Sequence, residues 1–157
     1  MRTTIDELDA RLLLALGENP RATVLALAER TGLSRNTVQA RLARLEEREV
    51  LTTFERRVSP AALGYPLTAY VTVTVLQRML TPVADALAAV PEVLEVLGMT
   101  GEGDLLVHCV AQDADELYRI AGRLLAIDGV ERTTTALVMR TLVEYRIAPL
   151  LKGLAGP

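Results

Sequence analysis

The stretch that decides the fold is residues 24–48, VLALAERTGLSRNTVQARLARLEER. Thr23 can cap a short helix over 24–30, Gly32 can take the left-handed conformation that ends a helix, and Ser34 can cap the next one. That next helix extends from about Arg35 to Arg48, and its buried stripe is Val38, Leu42 and Leu45. The stretch therefore predicts two helices joined by a tight turn.

Segments on both sides of this stretch complete a small domain. Upstream, Ile5 to Leu16 carries apolar residues at helical spacing, with Thr4 and Glu7 as a capping box. Downstream, 50–53 and 55–58 have the pattern of a hairpin wing. Residues 59–66 have the proline and small-residue content of a linker. We predict a winged helix-turn-helix domain over 1–58, followed by a linker over 59–66.

The remaining residues, 67–157, alternate between strand and helix patterns. Strands are predicted over 67–76, 93–99, 105–110 and 130–144, and helices over 81–89 and 113–126. The order β-α-β-β-α-β is that of ferredoxin-like folds, so the predicted fold class is α+β. Helices can cover only one face of such a sheet, yet both faces carry apolar side chains. We therefore expect a second subunit's sheet to cover the other face, which makes a homodimer.

Composition restricts the class of function. No apolar stretch is long enough to span a bilayer, and the acidic N-terminus is unlike a secretion signal, so we expect a cytoplasmic protein without a membrane partner. With one cysteine, Cys109, and one histidine, His108, the chain has no internal disulfide or structural zinc site, and we expect no metal or cofactor. The net charge is −3, but residues 21–45 hold five arginines and one acid. This local excess favours a phosphate partner.

The helix over 35–48 presents polar side chains that suit DNA. Its first turns lie where base edges of the major groove are usually read, and its arginines suit phosphates or guanine edges. The candidate DNA contacts are Ser34, Arg35, Asn36, Thr37, Gln39, Arg41, Arg44 and Arg48. The alternative, a solvated charged face, stays open for Arg48, which has acidic neighbours. We predict that this helix contacts double-stranded DNA.

Several short motifs occur together along the chain: Leu8-Asp9, LAERTGLS at 27–34, RLARLE at 41–46, ALGY at 62–65, PEV at 91–93 and TGEGD at 100–104. With them, nearly the entire chain resembles the feast/famine regulators of the Lrp/AsnC type. The combination of the helix-turn-helix with a TGxxD turn is specific. The resemblance implies a dimer, often assembled into an octamer, that binds promoter DNA and frequently responds to an amino acid held between ferredoxin-like domains.

Two positions depart from the pattern of that family. Glu49 stands where the family generally has Gly after the third helix, so this helix ends differently or Glu49 bears a strain of about 1 kcal/mol. Gly103 stands where an aromatic residue is common. The second departure removes a side chain from the turn at 100–104.

The turn at 100–104 is the candidate effector site. Backbone N–H groups around Gly101 and Gly103 could hold an α-carboxylate, and Asp104 could accept from an ammonium group. The alternative is that the two glycines permit a tight turn and that Asp104 caps it. The candidate effector contacts are Thr100, Gly101, Glu102, Gly103, Asp104, Thr133 and Thr135.

We therefore expect a sequence-specific DNA-binding transcriptional regulator, modulated by an amino acid or a related metabolite. One alternative is an effector-independent DNA-binding or architectural protein. The other is a small enzyme, for which Glu102, Asp104 and His108 are the only candidate acid-base cluster. No nucleophile, metal constellation or phosphate loop accompanies them, so we do not expect an enzyme.

Overall fold

The computed structural model of the chain describes residues 5–51 and 58–156. Their contacts form two compact units, one from the described residues of 1–56 together with 143–157, and one from those of 57–142. Within these described ranges, no helix is long and apolar enough to cross a membrane. Most of the hairpin wing expected at 50–58 lies outside the described residues.

The N-terminal part of the first unit contains three helices in the predicted order: α1 (Glu7–Glu18), α2 (Val24–Thr31) and α3 (Arg35–Glu47). Thr23 caps α2 by accepting a hydrogen bond from the Ala26 N–H, and Ser34 caps α3 by accepting from the Thr37 N–H. Gly32, between the two helices, has a φ of 71°. Because only glycine adopts this conformation readily, the turn forms as predicted.

The start of α1 differs from the prediction. Asp6, not Thr4, is the N-cap: its carboxylate accepts from the Asp9 N–H at 2.8 Å, and the Asp9 carboxylate accepts from the Asp6 N–H at 3.2 Å. Two aspartates three residues apart thus form the capping box that was assigned to Thr4 and Glu7. Their negative charges also lie at the positive end of the helix dipole. Thr4 itself lies outside the described residues.

The end of α3 is one of the two positions where the sequence departs from the pattern of the Lrp/AsnC regulators that it resembles. The helix ends at Glu47, and Glu49 has a φ of 55°, the one positive φ among the non-glycine residues described. A side chain in this left-handed region costs about 1 kcal/mol relative to glycine. Glu49 therefore adopts the conformation that glycine would favour, as the sequence suggested.

The second unit is a four-stranded antiparallel sheet with two helices. Its elements are β1 (Leu67–Val75), α4 (Leu80–Ala88), β2 (Val93–Gly98), β3 (Leu105–Ala111), α5 (Ala114–Leu125) and β4 (Val130–Leu137). The strand order is β2-β3-β1-β4. Asp113 caps α5 by accepting from the Glu116 N–H at 2.7 Å, as predicted. This is the expected β-α-β-β-α-β arrangement.

The two faces of the sheet have different surroundings. Alternate residues of β1 are buried in a core with β3, α4 and α5, which includes Val71, Val73, Val107, Leu87 and Ile120. Cys109 is fully buried in this core, and burial raises the pKa of its thiol. His108 lies on the other face, as expected from strand alternation. Cys109 is therefore a core residue and not a reactive thiol.

The last strand is shorter than predicted, because β4 ends at Leu137 and not at residue 144. The register explains this end: Leu137 pairs with Ala69, and the Val138 N–H reaches the Thr68 carbonyl at 2.9 Å. Since β1 begins at Leu67, the same register leaves residues beyond Met139 without a β1 residue with which to pair. The β-branched and apolar pattern of 138–144 had suggested a continued strand.

A short helix that the sequence analysis missed follows near the end of the chain. This helix, α6 (Ala148–Leu154), belongs to the first unit, although the sequence analysis grouped 67–157 together. Its Leu151 forms a buried cluster with Leu13 of α1 and Leu45 of α3. A second cluster, which includes Leu12, Leu27 and Val38, joins the three N-terminal helices. The C-terminal segment is thus part of the helical unit's core.

Candidate nucleic-acid interface

The first turns of α3 present an exposed polar surface. Arg35, Asn36 and Gln39 are exposed, and none of their side chains has a hydrogen bond or ion pair with another residue that the structure describes. The Ser34 hydroxyl accepts from the Thr37 N–H at 3.1 Å and lies 2.8 Å from the Thr37 hydroxyl. The cap therefore fixes the start of the helix, while the three neighbouring side chains remain available to a partner.

The arginines in the middle of α3 are directed instead toward α1. Arg41 Nη1 lies 2.7 Å from both Asp6 Oδ2 and Asp9 Oδ1, and Arg44 Nη2 contacts both carboxylate oxygens of Asp9 at 2.9 Å. The Asp9 side chain is 1% exposed and that of Arg41 is 18% exposed. Buried charges of this kind need paired, hydrogen-bonded partners. We call these four residues the ion cluster.

The ion cluster shifts the ionisation of two of its members. The hydrogen bond from Arg41 lowers the pKa of the Asp6 carboxyl, against the opposing effect of desolvation. The same contact, with a second one to Asp9, raises the pKa of Arg41. A signal for this cluster is present in the sequence, because two acids three residues apart on α1 match two arginines three residues apart on α3. Arg41 and Arg44 were predicted as DNA contacts without regard to that spacing.

The predicted DNA contacts therefore fall into two groups. In the first group, the side chains of Arg35, Asn36 and Gln39 are exposed and have no partner among the described residues. In the second group, Arg41 and Arg44 hold α3 against α1, although the Arg44 side chain remains 38% exposed. Arg48, at the C-terminal cap of α3, is exposed and has no carboxylate partner within the described part of the chain. For Arg48, the alternative that it belongs to a solvated charged face and does not contact DNA stays open.

In the second unit, the turn at 100–104 is tied to the end of β1 through Asp104. Its carboxylate accepts from the Val75 N–H at 2.8 Å and from Gln77 Nε2 at 2.7 Å, and its own N–H donates to the Val73 carbonyl at 3.0 Å. The pairing of β1 with β4 shifts register between Thr74 and Val75, beside these contacts. Asp104 thus has a structural role in holding the turn.

Gly103 is buried against β1. A Cβ atom at this position would lie 2.2 Å from Thr72 Cγ2, so a side chain cannot be accommodated without movement of the strand residue. This contact gives a structural reason for glycine at residue 103. The other turn residues, Thr100, Gly101 and Glu102, are exposed.

The two threonines of β4 that were grouped with this turn lie on the helix-covered side of the sheet. Thr133 pairs with Val73 and Thr135 with Val71, and both valines are in the core under the helices. Thr134 is the β4 residue opposite Thr72, which contacts Gly103. The structure thus brings Thr134, not Thr133 or Thr135, to the Thr72 face of the sheet. An effector contact by Thr133 or Thr135 stays a prediction.

The residues considered for an acid-base cluster are not arranged as one. Four residues of extended strand, about 13 Å, separate Asp104 from His108. The His108 ring stacks on Tyr70 with centroids 4.8 Å apart and an interplanar angle of 20°, while Asp104 is engaged by Val75 and Gln77. In the described ranges no group of three or more His, Cys, Asp or Glu residues is placed to hold a metal ion.

Comparison with known sequences identifies both parts of the chain. Residues 5–46 match the AsnC-type helix-turn-helix domain, and residues 68–148 match the Lrp/AsnC ligand binding domain. The HTH-type transcriptional regulator FL11 of Pyrococcus horikoshii is 32% identical over 150 residues, which cover 96% of this chain and 99% of that protein. The regulator AldR of Mycolicibacterium smegmatis is 31% identical over 142 residues, which cover 88% of this chain and 83% of AldR.

Comparison with solved structures gives the same result. The structure of E. coli AsnC has a TM-score of 0.85 and 25% identity, and the match covers 94% of this chain and 100% of AsnC. The complex of the regulator NMB0573 of Neisseria meningitidis with L-Met has a TM-score of 0.82 and 27% identity, covering 90% of this chain and 94% of that one. These matches confirm the predicted fold class, and the proteins concerned are regulators, not enzymes.

Proposed function

The chain belongs to the Lrp/AsnC family of transcriptional regulators, and we propose that it regulates transcription as a homodimer that inserts α3 into the major groove of specific DNA sites. It is a DNA-binding regulator and not an enzyme. We further propose that it acts in the cytoplasm and that an amino acid modulates it.

The exposed start of α3 is the observation that carries the DNA-contact proposal. Arg35, Asn36 and Gln39 stand on the first turn and a half of a helix whose N-terminus Ser34 fixes. Arg pairs with guanine, and Asn and Gln pair with adenine, through two hydrogen bonds each in the major groove. The exposed side chains of Ala40 and Ala43 are small, so the helix can approach DNA closely. Arg44 and Arg48 are the proposed phosphate contacts.

The DNA proposal is tested by incubating the purified protein with fragmented genomic DNA and sequencing the fragments that it retains. We expect enrichment of a small set of fragments that share a sequence with two-fold symmetry, because a dimer presents two α3 helices. A duplex with that sequence should bind at least tenfold more tightly than a shuffled duplex of equal length and composition. Uniform retention of all fragments would favour the architectural alternative.

The uncovered face of the sheet supports the homodimer. This face carries Tyr70, Leu97, Leu106 and His108, and Leu97 is 44% exposed although it pairs directly with Leu106. A second copy of the same sheet would bury this surface and leave on each subunit one helical first unit, which we call the head. The octamer implied by the family resemblance would need contacts beyond this face.

The dimer is tested by sedimentation of Leu97→Glu, which places a charge in the proposed interface. We expect the variant to sediment as a monomer at concentrations where the parent is a dimer. Leu125→Glu is the matched control, because Leu125 is 49% exposed on α5, and it should remain dimeric. Identical sedimentation of all three proteins as dimers would exclude this face.

The effector proposal rests on the exposed turn 100–102 and on a structural relative that was solved with L-Met. Asp104 already accepts two hydrogen bonds, but each carboxylate oxygen retains a second lone pair for an ammonium group. Backbone N–H groups around Gly101 and Gly103 are the proposed partners of the α-carboxylate. Calorimetry with a panel of amino acids tests this site. Absence of binding across the panel would favour the effector-independent alternative.

A further inference from the structure

The helical unit contains a cavity that the proposed function does not use. It has a volume of about 500 Å³ and lies between α1 and α6. Its apolar walls include Leu13, Leu14, Leu16, Leu51, Ile147 and Leu151. Sites for small molecules in proteins are typically clefts of roughly 300–1,000 Å³ with mainly apolar walls and a few polar groups. The cavity has the size and the lining of such a site.

The charged residues that line this cavity indicate the kind of molecule that fits. Arg146 and Lys152 both line it, and neither has an ion pair with another residue of the described ranges. Glu18, the one acidic residue among the described residues that line the cavity, pairs with Arg30. Two uncompensated cations beside an apolar wall favour a molecule with an apolar body and a single negative charge. The two cations outnumber the acidic residue among the described lining residues, so a carboxylate is favoured there over an ammonium group.

We propose that the cavity between α1 and α6 binds a small apolar carboxylate without an ammonium group, such as a medium-chain fatty acid or a branched 2-oxo acid. The apolar body lies against Leu13, Leu14 and Ile147, and the carboxylate is held by Arg146 and Lys152. This site is separate from the turn at 100–104 and differs from it in chemistry. It does not depend on the amino-acid effector proposed above.

Occupation of the cavity would act on the DNA-binding head. Leu13 and Leu151 line the cavity and also belong to the buried cluster that contains Leu45 of α3. A ligand that binds only when α6 lies against α1 stabilises that arrangement by mass action. The chain thereby gains a way to couple the concentration of an organic acid to the stability of the helix that we propose reads DNA.

The test is a titration of the intact chain, labelled at its Leu and Ile methyl groups, with octanoate and with 4-methyl-2-oxopentanoate, in the absence of DNA. We expect NMR shifts of the Leu14, Ile147 and Leu151 methyls with at least one of the two acids, and none at Leu106, in the sheet unit. Octylamine, which carries the opposite charge, should leave the same methyls unshifted. Because DNA is absent, failure of the DNA proposal would not affect this result.

Substitution of the two cations locates the carboxylate. Loss of a charge-assisted hydrogen bond weakens binding by about tenfold, so Lys152→Gln and Arg146→Gln should each raise the dissociation constant by about that factor. Arg140→Gln, an exposed arginine that does not line the cavity, is the control and should bind like the parent. The proposal is overturned if neither acid shifts the cavity methyls, if octylamine binds equally well, or if the cation variants match the control.

Discussion

Replacement of Asp9 by Ala tests whether the ion cluster holds α1 against α3. The carboxylate is 1% exposed, accepts from Arg41 at 2.7 Å and from Arg44 at 2.9 Å, and also caps its own helix. Breaking a buried ion pair by removing one partner costs about 3–5 kcal/mol. Arg41 still pairs with Asp6 in this variant, and the Arg44 side chain is 38% exposed. We therefore expect a loss at the lower end of that range, about 3 kcal/mol of the unfolding free energy.

Urea denaturation followed by far-ultraviolet circular dichroism measures this loss. Glu46→Ala is the control: Glu46 is exposed on α3 outside the ion cluster, and its removal should change the unfolding free energy by less than about 0.5 kcal/mol. In a double-mutant cycle, Asp9→Ala and Arg44→Ala should be strongly non-additive, because the two side chains share two hydrogen bonds. Additive effects, with a loss below about 1 kcal/mol for Asp9→Ala, would refute this account of the cluster.

Three further substitutions test local features. Glu49→Gly should raise the unfolding free energy by about 1 kcal/mol because it relieves a positive φ, and an unchanged urea midpoint would contradict this. The pKa of the Asp6 carboxyl is lowered from 3.8 in the folded protein, so the ionised carboxylate stabilises the fold above that pH, and this stabilisation is lost as the pH falls through the folded-state pKa. In acid titrations monitored by circular dichroism, Asp6→Asn should therefore be less acid-sensitive than the parent. Equal midpoints of the two titrations would argue against the Arg41 contact. Gly103→Ala should destabilise the chain by about 1–3 kcal/mol through its clash with Thr72. Thr72→Ser removes the clashing methyl group and should restore part of the loss in thermal midpoint. If it does not, the destabilisation has a cause other than this clash.

The features that the sequence predicted well are those set by local chemistry. Thr23 and Ser34 act as caps and Gly32 adopts a positive φ, and each of these roles depends on residues only a few positions away. The alternation of strand and helix patterns likewise predicted the order of strands and helices along residues 67–137. The positive φ of Glu49 is one of the two outcomes that the family resemblance left open for the end of this helix.

The features that the sequence did not predict depend on residues far apart in the chain. β4 ends where β1 begins, and α6 is a helix whose buried Leu151 packs against α1 and α3. Arg41 and Arg44 were assigned to DNA because their partners Asp6 and Asp9 lie more than 30 residues away. A periodic pattern shows which face of a helix is polar, but not whether that face meets solvent, DNA or another helix.

The assignment of DNA contacts within α3 follows from this distinction. Arg44 stabilises the head through Asp9, so Arg44→Ala should lower both the stability of the head and its affinity for every duplex. Arg35, Asn36 and Gln39 have no such internal partner in the described part of the chain, so their substitution should change DNA binding without changing stability. Residues that stabilise the head are therefore distinct from the residues that we propose read the DNA sequence.

Fluorescence anisotropy with the selected duplex, at fixed low salt, tests the central claim that the start of α3 reads DNA. The account predicts that Arg35→Ala and Gln39→Ala each weaken binding by about tenfold or more, in keeping with about 1–3 kcal/mol for a base contact, while Arg140→Ala binds like the parent. If both α3 variants bind the selected duplex as tightly as the parent and still prefer it to the shuffled duplex, α3 is not the element that reads the sequence.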